Sequence, residues 1–278
     1  MKSATLLKIL FIFFLLLVLL WLCFRGFVLF NRKLDSNRVQ SEVKSLLSDL
    51  DFLKNASTSD VLLSGREFIH NNSRNIIDDE FWSYYQDHPR LIRMMKQASI
   101  QRSSDKEKVQ YPHMECSTRA GVFQSILRAV NIPSRIITVY APMDSYPSHV
   151  FIEIYNSDYD EWEVYDPSYD VSYRAADLNG DPGAYLSIEE IVRLGPGGVT
   201  PCRRENCGWG SPTDTFETYS NDLKKYLSLA VRFDDDGSTT LINRAGFDTE
   251  AIFVVGAEKK TFCEHQPGYC SSRAFYFE

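Results

Sequence analysis

Three residues in the middle of the chain have side chains that together could do covalent chemistry. Cys116 heads the segment "CSTRAGVFQSILRAVN", and His149 and Asp166 lie in two later apolar segments separated by the turn residues "NSDYD". A thiol, an imidazole and a carboxylate are what acyl transfer through a thiolate requires: a nucleophile, a proton carrier and an anion that orients the proton carrier. Cys116 by itself is open to three readings: a small buried hydrophobe, half of a disulfide, or a nucleophile. A thiol at a helix N-terminus feels the positive end of the macrodipole and the unsatisfied amides there, which favour thiolate. A neighbouring imidazolium favours it further. The N–H groups at the same helix end could also bind a developing oxyanion.

The elements that must position these groups can be read from periodicity. Ala120, Phe123, Leu127 and Val130 form one helical stripe facing a core. Asn131 is expected at C′, and Pro133 prevents continuation. "RIITVYA", "SHVFIEIY" and "EWEVYD" read as three antiparallel strands, which with the helix make an α+β layout. With the turn of the last two strands centred between Ser157 and Asp158, Asn156 faces Tyr159, Ile154 faces Glu161 and His149 faces Asp166. Opposed residues point to the same face of a sheet, so the imidazole and carboxylate are expected side by side. A one-residue slip would part them.

These blocks resemble the core of the transglutaminase-like superfamily. "ECSTRAGVFQSILRAVNIPSRIITVY", "SHVFIEIY" and "EWEVYDPSYD" are similar, in order and spacing, to that family's Cys helix, "GIPAR" and strand, His-Ala-Trp-Val-Glu, and Trp-x-x-x-Asp-Pro-Ser/Thr. Asn131 stands where glycine is usual, and Val150-Phe151 replaces Ala-Trp. The resemblance covers residues 112–170. It implies a papain-like core, with the cysteine helix packed on an antiparallel sheet. It also implies Cys116 as nucleophile, His149 as general base and acid, and Asp166 as the orienting carboxylate. The family includes crosslinking enzymes, cysteine proteases, peptide:N-glycanases and non-catalytic descendants, so it does not imply one reaction.

Other residues near the core carry weaker expectations. His113 could line the cleft. Trp82 stands about where transglutaminases proper keep an oxyanion-supporting tryptophan, against an ordinary core role. Trp162 and Phe151 are expected in the core beneath the hairpin. Tyr165, Tyr169 and Tyr173 could line a substrate groove, but exposed loop tyrosines are the simpler account. Arg135 reads as structural and ion-paired. Beyond residue 170 a short helix should start near Ser187, and residues 226–256 resemble strands with "DDDGS" as a solvated hairpin turn.

Composition bounds the partners. The net charge of -7 argues against nucleic acid, which needs a basic face. Near the N-terminus "ILFIFFLLLVLLWLCF" follows Lys2 and Lys8, and Arg32 and Lys33 lie beyond. A membrane-spanning helix needs about 20 apolar residues, and a snorkelling Arg25 with "GFVLF" extends the run toward that length. Residues 1–30 are read as an uncleaved signal anchor, a cleaved signal peptide being the rival, with membrane contact through residues 9–30 and everything later exported. Cys202 with Cys207, and Cys263 with Cys270, then suggest two disulfides, with a four-cysteine zinc site as the rival. Asn55 and Asn71 head glycosylation sequons. Val39, Val43, Leu46, Leu50 and Leu53 make a short heptad stripe. It suits a helical stalk over 31–60 and a homo-oligomer through 34–53, or equally a helix packing on its own domain.

The organisation expected is therefore an anchor, a stalk and a domain over 61–278, with core 112–170 and a disulfide-bearing extension 171–278. The activity expected is a membrane-anchored, exported cysteine hydrolase or acyltransferase. Its substrate would be an amide or glutamine carbonyl of a protein or peptide, with no cofactor and no metal. Hydrolysis is favoured over crosslinking, because the regions flanking the core do not resemble a crosslinking enzyme. The alternatives are a non-catalytic binding module and a structural component of a surface or envelope complex.

Overall fold

A computed structural model describes residues 34–46, 48, 57–104, 109–140, 148–176, 182–195, 197–204, 206–208, 229–233 and 239–243. The apolar N-terminal run, Leu50, Leu53, Asn55, the "DDDGS" turn, Cys263 and Cys270 lie outside the described residues. Within them no helix is long and apolar enough to cross a membrane.

The helices are α1 (34–46), α2 (Thr58–Asn71), α3 (Asp79–Trp82), α4 (His88–Ser104), α5 (Cys116–Ala129) and α6 (Ile188–Leu194). The strands are β1 (Ser134–Tyr140), β2 (Ser148–Asn156), β3 (Glu161–Asp166), β4 (Val171–Ala176), β5 (Pro182–Tyr185), β6 (Val199–Arg203), β7 (Asn206–Cys207), β8 (Leu229–Phe233) and β9 (Thr239–Asn243). The strands run antiparallel in the order β7-β6-β4-β3-β2-β1-β8-β9, and β5 pairs with the far end of β4. The α+β reading holds, with more strands after residue 170 than periodicity showed. β5, β6 and β7 have only 4, 5 and 2 residues, too few for alternation to show, and β4, "VSYRAA", has little alternation of its own.

The sheet is covered on both faces. One cluster joins Ile137, Val139, Phe151, Val164 and Tyr173 to Ile188, Ile191 and Val192 of α6. The other joins Ile152, Ile154 and Tyr165 to Leu62 and Ile69 of α2, Leu91 and Met95 of α4, and Val122, Phe123 and Leu127 of α5. Val43 and Leu46 are buried in the second cluster. This part of the heptad stripe packs on its own domain, the second of the two readings above.

α5 ends as the sequence foretells. Asn131 has φ 60°, its N–H donates to the Arg128 carbonyl, and the Ile132 N–H reaches back to Leu127 at 2.9 Å. That pair of bonds is a Schellman motif, and asparagine tolerates its left-handed position. α6 begins after Ser187, whose side chain and that of Glu190 make a reciprocal capping box.

The hairpin register differs from the one expected. Asn156 pairs with Glu161 and Ile154 with Glu163, so each partner lies two positions later. The loop contains four residues, 157–160. The Asn156 side chain accepts from the Asp158 N–H, and Asp160 closes the loop at φ 59°. Asp158 caps α2 by accepting from Ser59 N–H at 3.1 Å, which docks the loop on that helix. A shift of two positions preserves the face, because side chains alternate with period two. His149 and Asp166 therefore remain on one face as diagonal neighbours, not as a direct pair.

Two further expectations are corrected, for the tyrosines and for Trp162, and two hold, for Arg135 and for the Cys202–Cys207 pair. Tyr165 and Tyr173 are fully buried within β3 and β4, not exposed in a loop. Trp162 lies outside the core, beneath the Arg135 guanidinium at 3.5 Å from the ring centre. Arg135 is ion-paired as expected, to Glu153 at 2.7 Å. Cys202 and Cys207 form a disulfide across β6 and β7, which removes this pair from any zinc site.

The turn 167–170 between β3 and β4 is tied from several elements. Asp170 accepts from Arg66 of α2 at 2.9 Å and is ion-paired with Arg203 of β6 at 3.1 Å. Arg66 and Asp170 are both buried, so removing one partner leaves an ill-matched charge in the interior. The substitution Arg66→Met is expected to cost about 3 kcal/mol in urea unfolding. The double variant with Asp170→Asn should recover part of that loss.

Candidate functional site

α5 places Cys116 at its first position. Its N-cap is Glu115, whose carboxylate accepts from the N–H groups of Ser117 and Thr118, each at 2.8 Å, and from both of their hydroxyls. Burial pushes the Glu115 pKa up, but these hydrogen bonds outweigh it and hold the carboxyl below the usual range. Two amides expected to be open to an oxyanion are thus already taken. The Cys116 thiol is half-buried and donates to Glu115 Oε2 at 3.3 Å. It is not in a disulfide, which removes one of its three readings.

β2 places His149 near its start. The residue is buried, unlike an ordinary surface histidine, with its ring edge-on to Phe151 and tilted against Tyr169. Nε2 meets Asp166 Oδ2 at 2.9 Å. Cys116 also acts on this imidazole, by hydrogen bonding and by charge, and both raise its pKa. The structure thus brings Cys116, His149 and Asp166 together.

β3 ends on Asp166, which is fully buried. Its Oδ1 accepts from the Ser168 N–H at 2.8 Å and the Tyr169 N–H at 3.3 Å. Its Oδ2 also receives the Tyr173 hydroxyl, at 3.4 Å. The local sequence "DPS" explains the first bond, since an aspartate before a turn bonds the backbone two residues on. One carboxylate oxygen is therefore fixed by its own turn and the other is aimed at the imidazole.

Burial alone would lower the His149 pKa, because a charged ring is poorly solvated there. The Asp166 charge, its hydrogen bond, and the hydrogen bond to Cys116 outweigh burial and raise the value to about 10. At neutral pH the ring is an imidazolium between a carboxylate and a sulfur. That arrangement can protonate a leaving amine and support a thiolate.

Several residues escaped the sequence reading. Arg119, one helical turn beyond Cys116, donates from Nη1 to the Ser168 carbonyl at 2.9 Å. The His70 Nδ1–H donates to the same carbonyl at 3.0 Å. Burial lowers the His70 pKa, aided by the Arg119 charge and opposed by Asp170, so this ring is neutral. The Cys116-to-Arg119 spacing of i, i+3 was the available signal for the arginine. Nothing local signalled the contacts from α2.

Two weaker candidates lie elsewhere. The His113 ring pairs with Asp78 at 2.9 Å, and the His113 backbone N–H donates to the Tyr84 hydroxyl at 2.8 Å, so this residue ties the approach to α5 onto α3 and the turn after it. Trp82 is exposed, not core. It lines a groove of about 640 Å³ with Arg38, His88, Ser125 and Arg128. Ser125 lies nine positions along α5 from Cys116, roughly 14 Å at helical rise. Cys116, His149 and Asp166 do not line that groove.

Residues 97–167 match the family model of the transglutaminase-like superfamily, which bears out the resemblance and includes all three site residues. No curated protein matches the sequence. Among solved structures, Rad4–Rad23 bound to a 6-4 photoproduct UV lesion is similar at 13% identity and a TM-score of 0.34, covering 74% of this chain and 42% of that one. A structure of the Rad4/XPC nucleotide excision repair complex, from work on β-hairpin motifs in DNA duplex opening, has the same identity and score and is covered to 45%. The chain spans less than half the length of these two, and at that score neither likeness bears on its function.

The raised histidine fixes a sign for stability. Its folded-state pKa of about 10 exceeds the unfolded value of 6.5, so its contribution is fully present below pH 6.5 and is lost as pH rises through 10. Urea unfolding between those limits should show the wild type losing up to about 1.4 kcal/mol per pH unit relative to His149→Gln. Asp166→Asn should abolish most of that difference.

Proposed function

We propose that the protein is a membrane-anchored, exported cysteine-dependent enzyme that hydrolyses or transfers the acyl group of an amide. The observation that carries this reading is the buried imidazole held between Asp166 and Cys116 at the N-terminus of α5. The match to the transglutaminase-like superfamily supports the reaction class at a coarse level. The apolar run before residue 25 supports the anchor. The Cys202–Cys207 disulfide supports an oxidising compartment.

In the proposed reaction the Cys116 thiolate adds to the carbonyl carbon of a peptide or glutamine amide. A C–S bond forms and the carbonyl π pair moves to oxygen. Collapse breaks the C–N bond while His149 gives its proton to the departing amine, leaving a thioester. Water, or a second amine, then attacks the thioester as His149 takes its proton, and the thiolate leaves. Asp166 keeps the ring in one orientation and stabilises its cationic form throughout. Hydrolysis is the preferred outcome.

A second reading, a binding module that retains the fold without turnover, is favoured by one contact. The Cys116 thiol donates to the Glu115 carboxylate at 3.3 Å, so its hydrogen is engaged there and not handed to His149. Alkylation of the full chain with iodoacetamide at pH 6.5 separates the two, with Cys116→Ala locating the reacting site. The enzyme reading expects Cys116 to react at least about tenfold faster than a free thiol, which is about 1% thiolate at that pH. It expects His149→Ala to abolish the excess. A rate no faster than a free thiol overturns it in favour of the binding module.

A further inference from the structure

Arg119 is nine-tenths buried and more, at 3% exposure, yet no carboxylate takes its hydrogen bonds among the described residues. One guanidinium nitrogen donates to the Ser168 carbonyl, and Nε is buried without an acceptor. A buried charge so partnered costs more than an apolar side chain of similar volume would. Its placement has to be explained by something other than stability.

The connection beyond it supplies a reason. The Ser168 residue that receives Arg119 on its carbonyl donates its N–H to Asp166 Oδ1. Asp166 Oδ2 holds His149. The turn is gripped from α2 by Arg66 and His70 and from β6 by Arg203, but Arg119 grips it from the helix that carries Cys116.

We propose that Arg119 is a positioning residue: it fixes the turn 167–170 against α5, and so keeps Asp166 aimed at His149 while His149 meets Cys116. The inference rests on the enzyme reading only for the role of Cys116. The positioning itself is read without turnover. The groups whose charges act on Arg119 are Asp166, Tyr169, Cys116 and Arg74. Those acting on His149 are Asp166 and Cys116.

The test uses the full chain with Arg119→Met and Arg119→Lys, reading thermal midpoint, the His149 titration by nitrogen-15 NMR, and Cys116 alkylation at pH 6.5. Loss of a nearby positive charge alone would strengthen proton binding by His149. A slackened Asp166 contact would weaken it, so the sign distinguishes the two. In Arg119→Met the proton affinity of His149 should fall at least about tenfold and alkylation should fall by a similar factor. Arg119→Lys, which keeps one donor and the charge, should lie between this variant and the wild type. An unchanged or strengthened His149 titration in a folded Arg119→Met overturns the proposal, whatever its thermal midpoint. If Arg119→Met does not fold, the lysine variant decides by the same sign: a weaker His149 supports positioning, and no shift overturns it. Should wild-type Cys116 prove no faster than a free thiol, the enzyme reading fails while the NMR result still judges the positioning.

Discussion

The structure depends on one buried carboxylate. Asp166 is fully enclosed, so its charge must be met within the protein. Two backbone amides of its own turn meet it on one oxygen, and an imidazolium and a tyrosine hydroxyl on the other. The pairing works in both directions. Without the ring the carboxylate would be under-satisfied, and without the carboxylate a ring buried as deeply as His149 would lose its proton. The same pair that stabilises the strand end therefore keeps an acid beside Cys116.

The surrounding elements make that pairing rigid. β2 and β3 fix the two side chains on one face, and the turn after β3 cannot drift, because charged side chains from α2 and β6 converge on Asp170. α5 brings Cys116 to the pair from the side, its start set by the Glu115 cap and its end by the Schellman turn at Asn131. Both sheet faces are buried, so neither β2 nor β3 can slip by one residue without turning polar groups into a core.

Much of this was legible in the sequence, for reasons that also mark the limits. The helix stripe and the β-branched strands are periodic, and period is the signal that survives without a structure. The face shared by His149 and Asp166 survived an error in register because the error was two positions, and parity alone decides the face. The register itself was not legible. It depends on the Asn156 side chain bonding its own turn and on Asp160 adopting a positive φ, neither of which spacing reveals. Tyr173 was misplaced because β4, "VSYRAA", shows no clear hydrophobic alternation, and a tyrosine in an unrecognised strand looks like one in a loop. Tyr165 lies within β3, a strand the sequence does announce, so its burial could have been read there. The Glu115 cap was overlooked because glutamate is not among the usual N-cap residues. Arg66 and Arg119, both buried, escaped the sequence because their partners Asp170 and Ser168 lie 104 and 49 positions away along the chain.

In the proposed reaction the buried carboxylate acts at a distance of two groups from the carbonyl that is attacked. Its effect must appear as acyl transfer to one sulfur. A burst assay with p-nitrophenyl acetate at pH 6.5, followed by peptide mapping of the quenched full chain, reads that transfer directly. The account predicts a burst of about one p-nitrophenolate per chain with the acetyl group on Cys116, absent in Cys116→Ala and strongly slowed in Asp166→Asn. No burst, or an acetyl group mapped to another residue, would contradict it.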